Sequence, residues 1–143
     1  MTEDRIIRKI AVIFVTDVVS FSTLMERNEN STLRSLRACR DLLDQLFKKY
    51  AARIFNTAGD SVLAEFQSAV AALVCATEFQ KMINKRNLSV SEDLQMQFRI
   101  GLNVGDVIVE GTNLYGEGVN NAARLEVLSQ PGGCLYQKQY MIL

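Results

Sequence analysis

One apolar run constrains this chain more than any other segment: Ile10-Ala-Val-Ile-Phe-Val-Thr-Asp17. It is dense in β-branched residues, far too short to cross a bilayer, and stops on a carboxylate, so it reads as a buried strand from about residue 9 to 16. A second carboxylate, Asp60, lies in Asn56-Thr-Ala-Gly-Asp60-Ser, a tight turn between Arg53-Ile-Phe and Val62-Leu-Ala-Glu-Phe66. Strands that lie side by side and end in carboxylates can hold a divalent cation, often two. If Asp17 and Asp60 pair in this way, the chain handles phosphates. Taken singly, each has a plainer reading: Asp17 as a cap of the following helix, Gly59-Asp60 as an ordinary hairpin turn.

Composition removes several alternatives. Sixteen basic residues balance sixteen acidic ones over 143 residues, so no polybasic signature points to nucleic acid or an anionic membrane. The chain contains no His, which excludes Ser-His, Cys-His and His-based acid–base chemistry. Cys39, Cys75 and Cys134 are odd in number and widely spaced, which offers no zinc site, and Cys39 and Cys75 fall within helical patterns, which fits small core residues in a reducing cytoplasm. Any catalysis must therefore rest on carboxylates, metals, Arg, Lys or amides. No apolar run approaches the roughly 20 residues of a membrane-spanning helix, and the first residues lack the apolar core of a signal peptide.

Periodicity sets the remaining order. Val18-Val-Ser-Phe21-Ser22 opens a short helix and offers backbone N–H groups beside Asp17, a setting that suits phosphate oxygens. A longer helix is expected from Ser31 as N-cap, with Leu33, Leu36, Cys39, Leu43, Leu46, Phe47 and Tyr50 at helical spacing. The hairpin follows, its first strand expected beside the opening strand. Ser68 then caps a helix through about Lys85, buried along Val70, Leu73, Ala76, Phe79 and Ile83. After a polar loop at 87–93, Gln95 to Val109 reads as one long or bent strand. Gly111 to Gly118 reads as a loop, and a helix with Val119, Ala122, Ala123, Leu125 and Leu128 available for burial runs to Pro131-Gly-Gly133. Cys134-Leu-Tyr136 is a final strand. This β-α-α-β-β-α-β-α-β order predicts one α/β domain, an α+β sandwich with a ferredoxin-like core, a mixed central sheet and flanking helices.

Four segments together resemble the catalytic domain of the class III nucleotidyl cyclases, nearest the bacterial adenylate cyclase type. They are Phe14-Val-Thr-Asp17-Val-Val-Ser-Phe-Ser22, Thr57-Ala-Gly-Asp60-Ser-Val-Leu-Ala-Glu-Phe66, Phe98-Arg-Ile-Gly-Leu-Asn-Val-Gly105 and Leu114-Tyr-Gly-Glu-Gly-Val-Asn120-Asn-Ala-Ala-Arg124-Leu-Glu. The resemblance implies that Asp17 and Asp60 bind two Mg²⁺ or Mn²⁺ ions per site. It implies that Asn120 positions the ribose and that Arg124 stabilises charge on the α-phosphate; their i, i+4 spacing puts both on one helix face. Arg99 occupies a position from which an arginine can reach the pyrophosphate, and is equally readable as a structural strand residue. The product would be a 3′,5′-cyclic nucleotide and pyrophosphate. The site would form in a head-to-tail homodimer, the aspartates from one chain and Asn120 with Arg124 from the other, on a cytoplasmic domain with no membrane contact of its own.

The chain also departs from the pattern. Adenylate-selective members carry Lys at the position of Asn56 and Asp at that of Asn113, so two amides here read the base, which admits adenine or guanine. Ser20 replaces a glycine of the phosphate loop, tolerable at negative φ and costly otherwise. The sequence stops before the family's last helix and closing strands, and Lys138 is too early to supply their triphosphate lysine. The alternative to an enzyme is a weak or inactive homology domain serving as a nucleotide-binding, regulatory or dimerisation module.

Overall fold

A central strand buried on both sides organises the molecule. The computed structural model describes residues 6–137. In β1 (Ile7–Val18), six consecutive residues from Ala11 to Thr16 are buried, because the sheet carries helices on both faces. Two helices lie between β1 and the hairpin: α1 (Phe21–Arg27) and α2 (Glu29–Lys49). The hairpin strands are β2 (Arg53–Ala58) and β3 (Ser61–Phe66), after which α3 (Ala69–Ser89) leads through a 3₁₀ turn at Glu92–Leu94 to β4 (Phe98–Glu110). The chain continues through β5 (Asn113–Tyr115) and α4 (Glu117–Leu128) to β6 (Cys134–Tyr136).

The sheet order is β2-β3-β1-β4-β5, all antiparallel, with β6 alone parallel to β4. The four strands β2-β3-β1-β4 are in the order of a split βαβ pair, which bears out the ferredoxin-like core and the mixed sheet. One expectation about pairing is corrected. The second hairpin strand, β3, lies beside β1, running from Thr16↔Val62 to Val12↔Phe66, while the first strand β2 is the sheet edge. An antiparallel β3 must start where β1 stops, and that brings its leading residues to the Asp17 end.

Alternation along the strands divides the core. Val12, Phe14, Val62, Ala64, Phe66, Phe98, Ile100 and Leu102 face α2 and α3, where Cys39, Leu43, Phe47, Cys75, Ala76 and Phe79 complete the larger cluster. Phe14, Phe47 and Phe66 pack with ring centroids 5.3–5.7 Å apart, two of the three contacts edge-to-face. Ala11, Ile13, Val15 and Val107 face the other way and meet Val119 and Ala122 of α4. Cys39 and Cys75 are buried free thiols and Cys134 is half-buried, as expected of core residues; burial pushes the Cys75 and Cys134 thiols up to about 12.

Local differences have local causes. Asn28, not Ser31, caps α2: its Oδ1 accepts the Ser31 N–H at 3.0 Å, and its extended backbone (φ −162°) is all that separates α1 from α2. Thr32 and Ser35 are buried on that helix, while Leu33 and Leu36 are only half-buried. Ser68 caps α3 as expected, but Val70 is 54% exposed and Ala72 and Cys75 are buried in its place. The glycine-rich loop is shorter than expected, since β5 lies inside it and Gly118 is in α4. Leu128, expected to be available for burial, is 72% exposed, and the buried face of α4 instead carries Glu126.

Candidate active site

The turn and the strand end place the two aspartates together. Asp60 occupies the turn between β2 and β3, after Gly59 at φ +59°. Its Oδ2 accepts the Val18 N–H at 2.8 Å, tying the turn to the residue after Asp17. Asp17 itself lies on the α4 face, as the period of two from Ile13 and Val15 requires. Across the ladder it stands opposite Arg99 on β4.

Arg99 lies among groups it only partly satisfies. Its Nη2 is 3.5 Å from Asp17 Oδ1, its Nη1 donates to the Val127 carbonyl at 3.5 Å, and its Nε is 4.0 Å from Glu126 Oε1. Arg99 therefore links the end of β1 to the end of α4. Glu126 is 3% exposed. Burial, then the neighbouring Asp17 carboxylate competing for one proton and adding its charge, push the Glu126 carboxyl up to about 8, against the opposing pull of Arg99. The sequence reading missed this residue. A signal was there, because 119, 122 and 126 fall on one helical face and Val119 and Ala122 were assigned to burial.

Helix α4 reaches this position by close approach to β4. Asn103, fully buried, donates from Nδ2 to the Gly118 carbonyl at 2.9 Å. Gly101 lies directly under the helix, where a Cβ would come within 2.3 Å of both the Ala122 carbonyl oxygen and the Glu126 nitrogen.

The other expected site residues lie apart from the aspartates. Asn120 and Arg124 are exposed on α4, Arg124 donating to Asn121 Oδ1 at 3.2 Å. Among the described residues no hydrogen bond or ion pair joins either one to Asp17 or Asp60. Asn56 is exposed on β2 beside a bulge that follows Ile54. Asn113 begins β5, and its Oδ1 accepts the Leu114 N–H at 2.9 Å. Phe21 packs against the main core, so only its backbone can face a phosphate, while Ser22 is exposed. The loop before α1 uses more of its amides than expected: Val18 N–H goes to Asp60 and Val19 N–H to the Gln97 carbonyl at 2.8 Å. Ser20 stands at φ +56°, the costly side of its expectation. Lys138 falls outside the described residues.

A profile of the adenylate and guanylate cyclase catalytic domain matches residues 3–139. The chain belongs to that family. A Rhizobium meliloti (strain 1021) protein named "Putative adenylate cyclase 3" is 42% identical over 134 residues, 93% of this chain and 23% of the relative. A Myxococcus xanthus protein named serine/threonine-protein kinase pkn2 is 25% identical over 84% of this chain and 15% of its own length. This chain thus spans about a quarter or less of the curated relatives it matches. Among solved structures, an adenylate/guanylate cyclase/hydrolase from Silicibacter pomeroyi superposes with a TM-score of 0.84 at 37% identity, covering 92% of this chain and 77% of that one. A bacterial light-regulated adenylyl cyclase gives 0.76 at 26% identity, over 89% of this chain and 41% of that one. Both the family and the mixed α/β fold read from the sequence are confirmed. Among the described residues no helix is long and apolar enough to cross a membrane.

The donor set fits a hard divalent cation. Asp60 commits one oxygen to Val18, Asp17 holds only a long ion pair, and no third carboxylate, His or Cys among the described residues completes a cage. Two carboxylates with remaining positions for water and phosphate oxygens is how Mg²⁺ is usually held, and differs from an all-protein cage.

Proposed function

We propose that the domain is a nucleotidyl cyclase that closes ATP, and also GTP, to the 3′,5′-cyclic nucleotide with release of pyrophosphate. The observation that carries this is the juncture of Asp17 and Asp60, made by the 2.8 Å bond from Val18 N–H to Asp60 Oδ2, in a chain of the cyclase family. Asp17 and Asp60 would hold two Mg²⁺ or Mn²⁺ ions, which supply a Lewis acid for the triphosphate and lower the pKa of the ribose 3′-hydroxyl. The Phe21 and Ser22 amides, at the start of α1, face phosphate oxygens. Asn120 orients the ribose so that its 3′-oxygen lies in line with the α-phosphorus. Arg124 offers a planar, permanently charged fork to the charge that grows on the α-phosphate as the P–O bond to pyrophosphate breaks.

Asn120 and Arg124 stand exposed on α4, free of the aspartates of their own chain, which supports a composite site in a head-to-tail homodimer. The base is read by Asn56 and Asn113. With one lone pair of its Oδ1 engaged by Leu114, Asn113 keeps its amide nitrogen as a donor, which meets the O6 acceptor of guanine as readily as a ring nitrogen of adenine. That favours mixed base selectivity over strict preference for ATP.

The test is direct. Purified protein is incubated with Mn²⁺ and ATP or GTP, and cyclic product and pyrophosphate are measured, together with Asp17→Ala. Product that disappears in the variant is expected. No product from either nucleotide, with tight nucleotide binding retained, would replace the enzyme by a regulatory nucleotide-binding domain.

A further inference from the structure

The Arg99 guanidinium lies between two carboxylates and is properly bonded to neither. Charge-assisted N–H···O bonds close at about 2.7–2.9 Å. The contact to Asp17 Oδ1 is 3.5 Å and the approach to Glu126 Oε1 is 4.0 Å. On the Glu126 side both facing atoms are orphans: Arg99 Nε and Glu126 Oε1 are buried, and neither has a hydrogen-bond partner among the described residues. A buried donor and a buried acceptor left open toward each other are costly, and native structures retain such pairs for a reason. Meanwhile Arg99 occupies an oxygen of Asp17 that a divalent cation would need.

We propose that Glu126 is a positioning residue for the cation site, the carboxylate that takes Arg99 over from Asp17 when a divalent ion binds. This rests on the reading of Asp17 and Asp60 as the ion's ligands. A cation at Asp17 repels the guanidinium, and without Glu126 that half-buried charge would have no carboxylate to turn to beside the ion. A movement of about 1 Å toward α4 would close the Nε–Oε1 pair to bonding distance and free the Asp17 oxygen. Glu126 touches neither nucleotide nor ion in this account; it acts through Arg99.

The experiment measures Mn²⁺ binding without nucleotide, by electron paramagnetic resonance of the free ion and by thermal shift, on wild type, Glu126→Gln, Arg99→Met and the double variant. Urea unfolding of each separates binding from folding. Glu126→Gln is expected to weaken Mn²⁺ binding about tenfold, because Arg99 then has no alternative partner to Asp17. The double variant is expected to return to within twofold of wild type or tighter, since the competing cation has gone. A merely structural Glu126 predicts the reverse pattern: urea midpoints that fall while Mn²⁺ affinity stays level, or a double variant weaker than either single one. Either result overturns the proposal. If Glu126→Gln does not fold, Arg99→Met compared with Arg99→Met/Glu126→Leu decides: equal Mn²⁺ affinity supports the exchange, and a further loss in the double variant refutes it. Asp17→Asn with Asp60→Asn is the separate control. If wild type binds no Mn²⁺, or the double Asn variant binds it unchanged, the ligand assignment itself fails.

Discussion

Gly101→Ala should be the most informative single substitution, because it lifts α4 off the sheet without removing any polar side chain. The new Cβ would lie 2.3 Å from the Ala122 carbonyl oxygen and from the Glu126 nitrogen, and 2.8 Å from Glu126 Cα. Every obstacle is backbone, so no rotamer change relieves the clash, and the helix must retreat by about 1 Å to restore ordinary contact. That retreat loosens Ala122 and Val119 against Ile13, Val15 and Val107. Overpacking of this kind costs about 1–3 kcal/mol, and a clash with backbone belongs at the upper end, about 3 kcal/mol. With a urea slope of about 2 kcal/mol per molar, the midpoint should fall by about 1.5 M at unchanged slope. Asn120 and Arg124 move with the helix, and a displacement near 1 Å at a reacting centre costs roughly 100-fold in turnover. Gly111→Ala is the control. Gly111 has nothing within 4 Å but stands at φ +60°, so it should lose only about 1 kcal/mol from backbone strain. A Gly101→Ala protein with a midpoint as close to wild type as that of Gly111→Ala, or one that keeps full turnover, would refute the argument.

Asn56→Lys with Asn113→Asp should raise the ratio of ATP to GTP turnover by about tenfold, the worth of charge-assisted contacts of roughly 1–3 kcal/mol; an unchanged ratio removes these two residues as base readers. Two buried glutamates should respond to pH in opposite senses. Burial alone would raise the Glu65 pKa, but Lys9 at 2.7 Å and Arg53 at 3.0 Å outweigh it and hold the carboxyl below its ordinary 4.5. Its stabilisation is thus present above pH 4.5 and is lost as pH falls through the lower folded value, so the advantage of wild type over Glu65→Gln in urea should shrink in acid. Glu126, raised from 4.5 to about 8, binds its proton more tightly in the folded state, so its contribution is complete below pH 4.5 and is lost as pH rises through about 8. In metal-free buffer Glu126→Gln should gain on wild type over that window, and parallel pH curves would contradict the assignment. Ser20→Gly, which relieves φ +56°, should stabilise the protein by about 0.5–1 kcal/mol, read from the urea midpoint.

What the sequence disclosed follows from periodicity and turn chemistry. The β1 run, the Gly59-Asp60 turn and the Ser68 cap are local signals, and each of these elements formed as read. Which hairpin strand meets β1 is a tertiary matter, and the choice of β3 over β2 was not readable from either strand alone. Glu126 is the clearest case of a residue hidden by its chemistry. A charged side chain on a helix is expected in solvent, and burial of this one is reflected in a carboxyl pushed up to about 8. Val70 and Leu128 are the converse, apolar helix residues left exposed. The strand end bearing Asp17 and the turn bearing Asp60 were legible from the sequence; the contact of Asp17 with Arg99 was not.

The pairing of β1 with β4 has a consequence for how the protein is made. Its register runs from Val18↔Phe98 to Ile7↔Val109, partners 80 to 102 positions apart, whereas β1 meets β3 only 46 to 54 positions on. Loop closure favours the nearer partner, so β1 and β3 join first and the β4 side of β1 stays open until the chain has been synthesised past residue 109. During that interval Ala11, Ile13 and Val15 lack both β4 and α4, and an unpaired apolar strand edge is a site for self-association. Slow elongation between residues 66 and 110 would then lower soluble yield more than the same delay elsewhere. Asp17 acquires Arg99 and Glu126 only at the end of this sequence, which makes this corner of the sheet among the last parts of the domain to mature.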